Sequence, residues 1–176
     1  MAIVKRIVHF LSNICYFLIL IYVTVCIPML FRYYPIVVLS GSMEPAYKVG
    51  SVVYYEKVST DMLKVGDTIV FPMNEDSRRM VCHRIIKIEN GYITTKGDAN
   101  KQADATKVSL AMVKGRVAKL SIIYIGYYIQ FVNQHLGIVI VSAVIILVSE
   151  FLFSNSEIFD INKEERSERH GRKKKK

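Results

Sequence analysis

The sequence predicts a mainly β chain, a small antiparallel β domain flanked by N- and C-terminal transmembrane helices. Three observations carry this. Of 176 residues, 52% are hydrophobic and the mean hydropathy is +0.27, more apolar than an ordinary soluble domain. Two long uncharged stretches lie towards the ends of the chain. Between them, short runs rich in Val, Ile and Tyr alternate with turn residues, the pattern of strands.

Residues 1–6 form a short N-terminal segment carrying Lys5 and Arg6, followed by 25 residues without a formal charge from Ile7 to Phe31. At about 1.5 Å per residue such a helix crosses a hydrocarbon core of about 30 Å. A cleaved leader would have a shorter apolar region ending in small residues, whereas this run ends in Pro28-Met-Leu-Phe-Arg32. Residues 7–31 therefore read as an uncleaved anchor, with Pro28 near its exit end where a kink is tolerable.

Residues 33–119 read as the β domain. The expected strands are Ile36–Leu39, Ser51–Tyr55, Asp67–Phe71, Met80–Ile88, Tyr92–Thr95 and Val113–Val117. Glu89-Asn90-Gly91 marks a hairpin, because Asn and Gly accept the positive φ of a type I′ turn. No helical period of ten or more residues interrupts this stretch.

Residues 120–153 open with 30 uncharged residues, Leu120 to Ser149, too many for one straight span. Tyr124, Tyr127, Tyr128 and Phe131 suit an interfacial helix, and Leu136–Phe153 suits a span. One long tilted helix is the alternative. Residues 154–176 are a basic tail, to which residues 163–176 contribute +5 of the net +9. Because the excess is concentrated there, the charge reads as a solvated tail rather than a nucleic-acid surface, and no nucleic acid is expected as partner. Basic residues at both ends place both termini in the cytoplasm and the β domain outside it. Cys15 and Cys26 lie in the apolar run and Cys82 stands alone, so no disulfide framework is expected. No Cys/His spacing suggests a metal site, and no cofactor is expected.

Chemistry is offered by three places in the β domain. Ser40-Gly41-Ser42-Met43-Glu44-Pro45 follows the anchor; alone it is a loop, but a serine beside a base becomes a nucleophile. His83 is the only histidine of residues 33–119, in a run where alternation puts Val81, His83 and Ile85 on one face. Lys96-Gly97-Asp98-Ala99-Asn100 precedes Asp104; alone it is a turn. Together Ser, His and Asp supply every role of a hydrolytic triad.

The order of these motifs resembles the type I signal peptidases, membrane-bound serine proteases that remove signal peptides. The resemblance covers residues 7–119 and rests on Ser-Gly-Ser-Met-Glu-Pro (40–45), Lys-Val-Gly-Asp-Thr-Ile-Val-Phe (64–71), Cys-His-Arg-Ile-Ile (82–86) and Lys-Gly-Asp-Ala-Asn (96–100). It implies Ser42 as nucleophile and Ser40 beside the oxyanion hole. Most bacterial members carry a lysine base where this chain has His83, so the sequence is similar to the endoplasmic-reticulum-type branch, also found in archaea and endospore-forming bacteria. The resemblance further implies Asp104 as the acid behind His83, with Asp98 supporting the site; the exchange of these two roles is the alternative. The implied substrates are signal-peptide-bearing preproteins with small residues at the minus one and minus three positions, met at the lipid bilayer of an integral membrane protein; the motifs identify no accessory subunit. Two other readings compete: a non-enzymatic membrane-anchored β module whose basic tail binds anionic lipid, and a self-cleaving switch of repressor type, which the missing DNA-binding helix pair disfavours.

Overall fold

The computed structural model describes residues 2–74, 77 and 79–152. The basic tail expected at 154–176 lies outside the described residues. The chain divides into two compact units, Met1–Ile21 with His135–Lys176, and Tyr22–Gln134.

The first helix, α1 (Ala2–Cys26), passes into a 3-10 turn at Ile27–Phe31 with Pro28 near its start, and Arg32 then turns the chain in a left-handed conformation (φ 65°). The expected kink is thus a change of helix type at the exit end, since proline has no N–H to continue the α pattern. Ile3–Phe31 is apolar and long enough to cross a membrane; its surface residues include Phe10, Phe17 and Leu20, all largely bare.

Seven antiparallel strands follow: β1 (Tyr33–Val37), β2 (Val52–Glu56), β3 (Thr68–Pro72), β4 (Met80–Glu89), β5 (Tyr92–Lys96), β6 (Val108–Ser109) and β7 (Gly115–Ile122). Their order across the sheet is β1-β2-β7-β3-β4-β5-β6, leaving β1 as an edge. The β4–β5 hairpin closes over Asn90 (φ 51°) and Gly91 (φ 80°), with Glu89 opposite Tyr92, as the sequence predicts. β1 begins three residues earlier than expected because Tyr33 and Tyr34 pair with Glu56 and Tyr55. Val38 leaves the strand but still donates its N–H to the Ser51 carbonyl at 2.9 Å. β6, only two residues long, gives no periodic signal.

The sheet is held by two apolar clusters. One gathers Leu63, Ile69, Phe71, Ile85, Ile93 and Val108, with Val81 packed against it. Val81 and Ile85 therefore share a face, as alternation along β4 requires. The other joins Val25 of α1 to Val52, Tyr54 and Ile129, and the buried Tyr54 hydroxyl donates to the Val25 carbonyl at 2.9 Å. At about 1.5–3 kcal/mol per buried apolar side chain, this second cluster ties the last turn of α1 firmly to the sheet.

The C-terminal part departs from the expected bounds. Residues 120–122 are not helical: Ile122 pairs with Val52 and Ser121 with Val53, so the strand outlasts the last charge. After it come α2 (Ile125–Gln134) and α3 (Leu136–Leu152), separated at His135. Among the described residues only Ile3–Phe31 is, as a single helix, long and apolar enough to span a membrane; the C-terminal transmembrane helix expected over Leu136–Phe153, of which residues 136–152 are described, is not supported as a span by itself. The alternative of one long tilted helix is replaced by two helices.

Candidate active site

Ser42 sits in a 3-10 turn, Gly41–Met43, just beyond edge strand β1. The turn is held from below by Met43, which is fully buried. It is held from the side by the loop after β5, where Ala99 donates its N–H to the Ser42 carbonyl at 2.9 Å. Gly97 is needed in that loop for close approach, since a Cβ there would lie 2.6 Å from the same carbonyl oxygen and 2.8 Å from the Asn100 amide.

His83 projects from β4, opposite Ile69 of β3. Its Nε2 lies 3.1 Å from Ser42 Oγ and its Nδ1 lies 2.6 Å from Asp104 Oδ2. A carboxylate can only accept, so Nδ1–H is the donor there. Nε2 is then left with its lone pair facing the serine hydroxyl. Asp104 is itself oriented: the buried Thr95 hydroxyl donates to Oδ2 at 2.7 Å, and Asp104 N–H donates to the Thr95 carbonyl at 2.9 Å. His83 and Asp104 are mostly shielded, with side chains 13% and 24% exposed, so their attraction is screened less than that of a surface pair. Ser40 Oγ lies 3.3 Å from Ser42 Oγ.

Asp98 faces elsewhere. It binds Arg84 through both oxygens, at 2.8 Å from Nε and 2.6 Å from Nη2, while Nη1 of the same arginine donates to the Gly66 carbonyl at 2.8 Å. These bonds raise Arg84 above its ordinary value and pin the 97–100 turn to β4 and to the loop before β3. All five residues singled out in the sequence thus fall in one region, in two groups: Ser40, Ser42, His83 and Asp104 in a chain of contacts, and Asp98 with Arg84. Sequence reasoning missed Thr95, which read only as strand. It also gave Arg84 no partner, although the chance to pair with a nearby aspartate was legible.

A cleft of about 920 Å³ opens over Ser42 and His83, with Ile36–Ser40 on one side and Arg79–Val81 on another. β1 is paired with β2 alone, so its second edge can receive an extended chain. Cys82, next to His83, is a poor nucleophile, because burial, with the Asp98 carboxylate adding to it, pushes its thiol up to about 12.

The arrangement is the one an activated serine needs: a hydroxyl on a base, and the base on a carboxylate. The chain belongs to the signal peptidase family, peptidase S26, whose model matches residues 11–107. It is 40% identical over 88 residues to signal peptidase I W of Bacillus subtilis (strain 168), covering 47% of this chain and 45% of the relative. It is 39% identical over 74 residues to the signal peptidase complex catalytic subunit SEC11C of Homo sapiens, covering 39% of this chain and 38% of the relative. The matched stretches thus span less than half the length of these relatives.

Two measurements check the local geometry. With the Cys82 thiol near 12, about one thiol in 10⁴ is ionised at pH 8. N-ethylmaleimide should therefore leave Cys82 of the folded protein unmodified at that pH and modify it once urea unfolds the chain. Rapid modification of the folded form, seen by peptide mapping, contradicts the buried placement. Gly97→Ala must displace the Ser42 carbonyl, and a shift of that order can cost about 10²-fold in reactivity. Labelling of Ser42 by a fluorophosphonate should slow accordingly at unchanged membrane abundance, and an unchanged labelling rate would rule out the close approach.

Proposed function

We propose that this chain is a membrane-bound serine endopeptidase, a type I signal peptidase that cuts preproteins after small residues at the minus one and minus three positions. The observation that carries the reading is the continuous chain of contacts from Ser42 Oγ through His83 to Asp104. In the reaction, Ser42 Oγ attacks the scissile carbonyl carbon as its proton passes to His83 Nε2. The imidazolium so formed is stabilised by Asp104 across the 2.6 Å bond. The negative charge moves to the carbonyl oxygen, where the Ser40 hydroxyl and a backbone N–H are the proposed donors. Collapse breaks the C–N bond, and His83 gives its proton to the leaving amine, the new N-terminus of the mature protein. Water then attacks the acyl-enzyme, again losing a proton to His83, and releases the signal peptide with Ser42 restored.

The N-terminal apolar helix and the family place the protein at a membrane. The finer arrangement, with both termini cytoplasmic, the β domain outside and α3 as a second span, is also proposed. Basic flanks support it. So does the contact of His9 Nδ1 with Glu150 Oε1 at 3.3 Å, which brings the C-terminal end of α3 to the first turns of α1.

Preprotein cleavage by the detergent-solubilised chain tests the chemistry. Ser42→Ala should abolish it, and Ser40→Ala should reduce it by about 10²–10³-fold, the usual cost of one oxyanion donor. Asp104→Asn should leave stable protein with strongly reduced turnover, whereas Asp98→Asn should mainly lower the melting temperature by freeing Arg84. Full activity in Ser42→Ala ends the serine-protease reading; normal activity in Asp104→Asn with a folded, inactive Asp98→Asn exchanges the two aspartates.

Topology has its own readout. In a variant without native cysteines, a membrane-impermeant maleimide should label a cysteine introduced at Asn74 in intact cells and spare one introduced at Asn162. Labelling at both positions rules out a second span.

A further inference from the structure

The cleft has a third wall, made by a helix that lies beyond the family match. That match ends at residue 107, while Gln130 and Gln134 of α2 line the same cleft as Ser42 and His83. Four residues apart, they lie on one face of the helix, one turn above the other. The helix is anchored by its other residues. Gly126, Ile129 and Val132 are buried, and Gly126 donates its N–H to the Gly50 carbonyl at 2.9 Å. Contact is so close there that a Cβ on Gly126 would lie 2.7 Å from that oxygen. Ile129 packs with Val25, and Asn133 accepts from the Tyr22 hydroxyl at 3.2 Å. Ile129 and Asn133 thus meet the last turns of α1 at Val25 and Tyr22. Gln134 lies about 6 Å further along the helix than Gln130.

We propose that Gln130 and Gln134 bind the signal peptide where its apolar helix ends and its extended segment begins, and so set the distance from the helix end to the scissile bond. The inference rests on the signal-peptidase reading above and assigns the site a length-measuring element. A helix ends with four carbonyls that have no partner within it. Inside an apolar region, an unpaired carbonyl is costly. The walls of the same cleft include the apolar side chains of Ile36, Val38 and Met80. A glutamine amide brings two N–H donors and one acceptor, enough to cap such carbonyls and to meet the first extended peptide group. Because α2 is locked to Gly50, Val25 and Tyr22, the two amides are held at a fixed position relative to Ser42 and can act as a gauge.

The test uses the full chain in phosphatidylcholine vesicles and a set of preproteins whose extended segment is lengthened one residue at a time. Wild type should prefer one length. Gln130→Leu and Gln134→Leu should each raise KM for that preprotein by about tenfold, with kcat within about twofold, and flatten the length preference. Gln134→Glu, isosteric but without the N–H donors, should behave as the Leu variant, while Gln134→Asn should recover part of the loss. A short peptide spanning only minus three to plus three should be cut equally by wild type and all variants. An unchanged KM and length preference in both Leu variants overturns the inference, as does an equal loss on the short peptide, which would mark a displaced helix. If wild type cuts no preprotein at all, the signal-peptidase reading fails first and this inference with it.

Discussion

The bond from Ala99 N–H to the Ser42 carbonyl joins two segments that share no strand pairing. Ser42 sits in a turn beyond the edge of the sheet, and its base stands on β4, four places across the strand order. Nothing in the register of the sheet brings such positions within 3.1 Å. The 97–100 loop does so by pressing on the serine turn from β5, the strand beside the one that carries His83. Gly97 makes the approach possible, because any side chain would occupy the space of the Ser42 carbonyl. Met43 completes the clamp by burying its side chain beneath the same turn. The position of Ser42 is therefore a property of the loop as much as of the serine turn.

A second constraint concerns charge. His83 and Arg84 are neighbours on one strand, so their side chains leave opposite faces, and each meets its own aspartate. Asp98 answers Arg84 with two bonds, while Asp104 answers His83 with one and takes another from Thr95. Were a single carboxylate shared between them, the permanently charged guanidinium would weaken its hold on the imidazolium of the proposed reaction. With two carboxylates, the arginine pair fixes the loop and the histidine pair stays available for proton transfer. The Asp104 carboxylate also gains direction from Thr95, so the imidazole is held in the tautomer that leaves Nε2 facing the serine.

How much of this was legible in the sequence depended on the range of the interactions. The Asn90-Gly91 turn and the strand character of β2, β3, β4 and β5 follow from local composition and are present as read. The ordered motifs named Ser42, His83 and both aspartates, because residue type there carries the chemistry directly. Features set by pairing across the sheet were not legible. β1 begins at Tyr33 because of its partners on β2, and β7 runs through Leu120–Ile122 because β2 extends that far, although these residues open an uncharged stretch that reads as helix. Thr95 looked like any strand threonine until Asp104 arrived beside it from nine residues away. Gln130 and Gln134 fall in the long uncharged stretch, and the fold shows that they border the cleft.

Tyr22–Cys26, the last turns of α1, belong to the compact unit that carries the site. Val25 packs in a cluster with Val52, Tyr54 and Ile129, and its carbonyl accepts the Tyr54 hydroxyl. Tyr22 reaches Asn133. On the signal-peptidase reading proposed above, a substrate brought to the cleft by its apolar segment would search only a small volume for the scissile bond. Modest contacts at the cleavage site suffice under such confinement, because a substrate held in place has already lost the freedom that binding would otherwise have to remove.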